Sequence, residues 1–140
     1  MNAITEIHPK PEEAKYMPYA PAIRVPAGSD ILFISGATAS PLYHKHPHVP
    51  EEHVHVDDIK EQTRRAMENI KVVLDSQGLT WRHVVKVIKY CTDPREFDDI
   101  HAVMNGYFGD WRPASTLLAV NSLSSPGARV ELEMVAVVPR

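Results

Sequence analysis

Asp57-Asp58-Ile59-Lys60-Glu61-Gln62-Thr63-Arg64-Arg65-Ala66-Met67-Glu68-Asn69-Ile70-Lys71-Val72-Val73-Leu74-Asp75-Ser76-Gln77-Gly78 is the stretch from which the rest of the chain can be read. Ile59, Thr63, Ala66, Ile70, Val73 and Leu74 recur at helical spacing and share one face. Lys60, Glu61, Arg64, Arg65, Glu68 and Lys71 cover the other. Asp57 is placed to cap the N-terminus, and Gly78 supplies a C-terminal stop. A helix with one apolar face needs a surface to lie on, and the segments downstream supply one.

His83 to Cys91 carries Val84, Val85, Val87 and Ile88 and reads as a strand. Lys86 and Lys89 interrupt it, which predicts that part of it lies near an edge or the solvent. Asp93-Pro94-Arg95-Glu96 then starts a second helix: Asp93 caps, Pro94 suits the first helical position, and Glu96 has capping-box spacing. Phe97, Ile100, Val103, Met104, Tyr107 and Phe108 form its buried stripe, and Gly109 ends it. Ser115–Val120 and Arg129–Val138 are two closing strands, joined through Ser124-Ser125-Pro126-Gly127.

Upstream of residue 57 the chain has a different character. Eight of its 12 prolines fall in the first 50 residues, so this part is extended and turn-rich. Residues 1–15 are polar and proline-bearing and read as an arm, ordered only if a neighbouring subunit holds it. Ala22–Val25 and Ile31–Ser35 flank the turn residues 26–30 and predict a β-hairpin, ended by Gly36. Residues 37–56 hold three prolines and five of the eight histidines, a long excursion of the kind that is usually functional or mobile. The order is β-β-loop-α-β-α-β-β. It predicts a single α/β (α+β) domain over 16–140, with a mixed sheet and both helices on one face. The opposite sheet face then needs a cover, and a subunit interface is the natural one.

Composition narrows the function classes. At 140 residues, 44% apolar and 24% charged, the chain is one ordinary globular domain. A net charge of −3 gives no global basic excess for a phosphate backbone, so nucleic acid is a disfavoured partner. Cys91 stands alone, so no intrachain disulfide forms, which fits a reducing compartment. The N-terminus lacks a signal-peptide pattern and no apolar run is long enough for a membrane span, so the expectation is a soluble cytoplasmic protein.

Several residues carry chemistry. Glu131 and Glu133 sit two apart on a strand and share a face with Arg129, while Val130, Leu132 and Met134 fill the other. Glu131 is either a general base or water orienter in a cleft, or part of a solvated face balanced by Arg129. Ser115 lies in no nucleophile elbow and reads better as a pocket-lining hydroxyl. Arg112 and Arg129 are the candidates for a positive charge near it. His44, His46 and His48 would share one face of an extended segment, as would His53 and His55, and neutral imidazole suits zinc, nickel or copper. Lys45 opposes a cation there, and no cysteine supports a structural zinc site. A polar lid that sets specificity over a cleft is the preferred reading of this loop. His101 is either a packing residue of the second helix or a pocket residue. Cys91 reads as a buried strand residue.

Several motifs occur in a telling order. Tyr16-Met17-Pro18-Tyr19-Ala20-Pro21-Ala22, Leu32-Phe33-Ile34-Ser35-Gly36, Gln62-Thr63-Arg64 through Asn69-Ile70-Lys71, Val84-Val85-Lys86-Val87, Thr92-Asp93, Pro113-Ala114 and Val130-Glu131-Leu132-Glu133 resemble, in order and spacing, the RidA/YjgF/UK114 proteins over residues 16–138. The resemblance implies a chorismate-mutase-like fold and a homotrimer with three inter-subunit clefts. It also implies cofactor-free hydrolysis of enamines and imines to ketoacids and ammonia. By the same resemblance Tyr19 borders the cleft, Ser35 and Gly36 form its wall, and Glu131 positions the attacking water. Two positions depart from it. Ser115 stands where the deaminase subgroup has a carboxylate-binding arginine, and a hydroxyl cannot replace a bidentate, charge-assisted clamp. His101 stands where the family has an asparagine. The histidine-rich loop is also longer than the family segment. The expected function is therefore hydrolytic deamination of a non-standard small substrate. The alternative is a non-catalytic trimer that binds a metabolite or partner, with endoribonuclease activity less favoured.

Overall fold

A computed structural model describes residues 3–140. The first two residues of the expected arm lie outside that range. Six strands and two helices follow in the order β1 (Thr5–Ile7), β2 (Ala22–Arg24), β3 (Asp30–Ala37), α1 (Ile59–Ser76), β4 (Val84–Cys91), α2 (Phe97–Phe108), β5 (Ala114–Ala119) and β6 (Val130–Val138). The main sheet has the order β3-β6-β4-β5. Only β4 and β5 run parallel, joined through α2 in a crossover. Both helices pack on one face, as expected.

Alternation divides the sheet cleanly. Val87 and Cys91 of β4 and Val130, Leu132 and Met134 of β6 point toward the helices and are buried. Ile59, Ala66, Met67, Ile70 and Leu74 of α1 meet them together with Ile100, Met104 and Phe108 of α2. On the other face Ile31 and Phe33 of β3 stand 58% and 78% exposed, and Leu118 is exposed on β5 at the opposite edge. A phenylalanine this exposed on a sheet face is the expected mark of a contact surface.

Several local expectations are corrected. The strands 22–25 and 31–35 do not pair with each other: β2 pairs antiparallel with β1, Thr5 opposite Arg24, in a separate two-stranded sheet. The turn at 26–30 carries Gly28 at positive φ, but it passes the chain from one sheet to the other instead of closing a hairpin. The amino-terminal segment folds back on its own chain, where the Glu6 carboxylate accepts from the Arg112 backbone N–H. The cap of α1 is Asp58, which accepts from the Lys60 and Glu61 N–H groups, not Asp57. Asp57 pairs instead with Arg129, which also grips Glu96 at 3.0 Å. Glu96 therefore closes no capping box, although Asp93 does accept from Arg95 N–H. Arg129 thus ties together the starts of the two helices and does not balance Glu131 and Glu133.

β4 is an interior strand, and this overturns the expectation drawn from its lysines. Lys86 points to the face away from the helices and donates to Thr116 at 3.0 Å. Lys89 points to the helix face and is only 5% exposed. Gln62, 1% exposed, is the other buried polar anchor. Its amide donates to the Val56 and Gly127 carbonyls and accepts from Arg129 N–H. Asn69, on the same helix, donates to the Thr38 and Ser40 carbonyls. Together they fasten both ends of the histidine-rich segment to α1. Among the described residues no helix is long and apolar enough to cross a membrane.

Candidate functional site

The site residues form two groups, set by the pleat. On β3 the register slips between Ile34 and Ala37, so Ser35 and Gly36 form a bulge opposite β6. Both are exposed on the face away from the helices, where Glu131 and Glu133 also lie. Gly36 has no Cβ for a reason visible in the structure: a methyl there would fall on the Glu131 carboxylate. Glu131 is half-buried. Desolvation, then the charge of Glu133, raise its carboxyl above the ordinary value. Glu133 accepts from the Tyr90 hydroxyl at 3.0 Å, which raises the phenol and keeps this second acid occupied. Among the described residues, Glu131 is left as the acid at the bulge whose carboxylate makes no hydrogen bond.

Ser115 lies on the opposite face. It pairs with Val87 in the parallel register, so its side chain points to the helix layer. Ala20 N–H donates to the Pro113 carbonyl, which brings Tyr19, 38% exposed, beside the start of β5. His101 lines a cleft of about 450 Å³ with Lys15, Met17, Pro18, Asp98 and Arg112. Tyr19, His101 and Ser115 therefore belong to one side of the chain, and Ser35, Gly36 and Glu131 to the other. A single copy does not bring the two groups together.

Lys89 is the residue that sequence reasoning missed. It sits on β4 beside Leu117, one helix-facing position along from the Val87–Ser115 pair. Burial, then the nearby Arg112 charge, lower its ammonium to about 8. His101 is lowered in turn, by burial first and Lys89 second. Lys89, His101 and Arg112 are thus one electrostatic cluster. A lysine at an inward position among valines was the available signal.

The histidines separate as well. The rings of His44, His46, His48 and His53 lie together, with centroids 4.6–5.4 Å apart. His55 stands behind them with its Nε2 2.7 Å from Ser125 Oγ. Cys91 is buried as expected, and burial pushes its thiol up.

Known proteins share this fold. The family model described as Endoribonuclease L-PSP matches residues 11–138. The chain belongs to that family. A RutC family protein of Pyrococcus abyssi is 35% identical over 133 residues, 94% of this chain and 92% of the relative. The RutC family protein YjgH of Escherichia coli is 30% identical, covering 86% of this chain and 83% of its own length. Among solved structures, the Rid-family protein YyfB of Yersinia pestis superposes with a TM-score of 0.77 at 25% identity, over 99% of this chain and 100% of that one. The expected RidA/YjgF membership and the α+β architecture are thereby established.

Within the family fold, the bulge Ser35-Gly36 and the Glu131 strand face are in place. Position 115 provides no cation, and the nearest ones come from β4 and from the α2–β5 link.

Proposed function

We propose that this Rid-family chain is a hydrolase that adds water across the C=N bond of a small imine, working as a homotrimer. Its site would combine Glu131, Ser35 and Gly36 of one copy with Tyr19, His101 and Ser115 of the next. The observation that carries the reading is the half-buried Glu131 carboxylate lying over Gly36 at the β3 bulge, raised by desolvation and free of a hydrogen-bond partner that would spend it. An acid so placed accepts a proton from water as the oxygen bonds to the imine carbon. The proton passes to nitrogen to give a carbinolamine; its hydroxyl proton then moves to nitrogen as the C–N bond breaks and the C=O bond forms, so that ammonia leaves with a carbonyl product. An enamine substrate would first take a proton at carbon. Exposed Ile31 and Phe33 support assembly through the face that carries Glu131.

Ser115 favours substrates other than simple 2-imino acids. An anionic substituent would meet Lys89 and Arg112, which are point charges displaced from the family clamp. The test is ammonia release from freshly generated imines, some bearing a carboxylate and some neutral, with Glu131→Gln beside the native protein. The expected result is rate enhancement on part of the panel, abolished by Glu131→Gln. Enhancement on no member would overturn the reading and leave the second one, a trimer that binds a metabolite without turning it over. That second reading is favoured by one observation, the serine at 115. Restoring the clamp with Ser115→Arg separates the two: gained activity on 2-imino acids means that only the clamp had been lost. Cleavage of RNA, the activity in the family's description, would have to survive on a face whose free charge at the bulge is acidic.

A further inference from the structure

His44, His46 and His48 each offer a ring nitrogen, and these three atoms all lie within 4.8 Å of one another. His53 joins them from the far side of the loop, its ring 4.9 Å from His44 and 4.6 Å from His48. We infer that these imidazoles form a binding site for a first-row transition-metal dication of the zinc, nickel or copper type, separate from the Glu131 site.

Three observations carry this. The first is spacing. Two imidazoles bound to one tetrahedral zinc through Zn–N bonds of about 2.0–2.1 Å have ring centroids about 5 Å apart, and the five close pairs here span 4.6–5.4 Å. The second is the tautomers. His44 Nδ1 lies 3.0 Å from the Pro41 carbonyl, which can only accept, so Nδ1 carries the proton and Nε2 keeps its lone pair. His53 Nδ1 is held by the hydroxyls of Ser40 at 3.2 Å and Ser125 at 3.4 Å. An outer partner on one ring nitrogen is the arrangement that orients a metal-ligating histidine through the other. The third is an orphan. Among the described residues His53 Nε2 is buried and has no hydrogen-bond partner, and in the tautomer protonated on Nδ1 its lone pair is one that a cation would engage.

The neighbouring acid is turned elsewhere. The Glu52 carboxylate accepts from the Lys45 backbone N–H at 3.3 Å. His48 and His53 also line an open cleft of about 360 Å³ with Pro50, Ser124, Ser125 and Pro126, so the site is reachable from solvent. Nitrogen-only donors disfavour magnesium and calcium, which take oxygen.

Untagged protein, stripped with chelator and dialysed, is titrated with zinc(II) by calorimetry near neutral pH. The expected stoichiometry is one zinc per chain. His44→Ala, His48→Ala and His53→Ala should each weaken binding by at least the roughly 10–100-fold that loss of an outer partner costs, and Ser40→Ala by about tenfold. His8→Ala and His83→Ala should leave it unchanged. Cobalt(II) should give visible absorption that is lost in His44→Ala/His48→Ala. Zinc should raise the melting temperature of the native chain and not that of the double variant, whose metal-free melting temperature stays native. Glu131→Gln should bind zinc like the native chain, so this site and the proposed hydrolase stand or fall separately. Less than one zinc per chain, or an affinity insensitive to residues 44, 48 and 53, would overturn the inference.

Discussion

Gly36 lies directly beneath the Glu131 carboxylate, so that the carboxylate occupies the space a side chain at 36 would need. The overlap is with the far end of a flexible side chain and not with backbone. Gly36→Ala should therefore displace the carboxylate and leave the sheet intact. The expected outcome is a large loss of kcat on imines at nearly native melting temperature. Gly36→Ala added to Glu131→Ala should cost nothing further, because the two act through one group. Independent, additive losses would show that Gly36 matters for another reason.

The like charge of Glu133 helps to raise Glu131, after the larger effect of burial. A carboxylate that must be ionised to take a proton loses activity as pH falls through its raised pKa. Glu133→Gln removes one cause, so the acid limb of kcat/KM should move to lower pH by a fraction of a unit. Burial keeps the rest of the shift. An acid limb that stays fixed or moves upward would assign it to another group.

Lys89 makes a prediction about stability. Its folded-state value of about 8 lies below the ordinary lysine value of 10.5, so between these the unfolded chain binds more protons than the native one. Stability from this group therefore rises as pH increases from about 8 to 10.5, and the full cost of burying the ammonium is felt below about 8. Lys89→Met should add about 1–3 kcal/mol at neutral pH, read from urea unfolding, and remove that pH dependence. The same variant should raise KM for carboxylate-bearing imines and spare neutral ones. Unchanged KM on both would exclude Lys89 from anion recognition.

Gln62 is buried with its amide fully engaged by Val56, Gly127 and Arg129. Gln62→Ala leaves those backbone groups without partners and should cost about 1–3 kcal/mol in denaturant unfolding. A loss near zero would mean that water replaces the amide without penalty.

Phe33 should hold copies of the chain together. Phe33→Asp places a charge on the exposed face and should convert a trimer to monomers in light scattering after gel filtration. A native oligomer in this variant would move the interface to another surface.

What could be read from the sequence followed the range of the interactions. The helices were legible because the spacing of Ile59, Ala66, Ile70 and Leu74, and of Ile100, Met104 and Phe108, is local, and Gly78 and Gly109 at positive φ punctuate them. The family motifs placed Ser35, Gly36 and Glu131 on one wall, and the bulge brings them together. The pairing of β2 was not legible, since its partner β1 is three residues long and polar in pattern. Lys89 was misread because the strand's position in the sheet, and not its composition, decides which lysine is buried. The convergence of His53 on His44 and His48 was hidden for a similar reason, since it depends on how the loop folds over Ser40 and Ser125.

The fastening of Thr38, Ser40 and Val56 to Asn69 and Gln62 has an evolutionary side. Both ends of the excursion are moored to one helix, so its interior can lengthen, shorten or change composition without disturbing the register of the sheet. Residues 41–55 are in that sense an exchangeable cassette. Grafting this segment between the same two amides of a relative would carry its histidines with it and leave the wall at the β3 bulge unaltered.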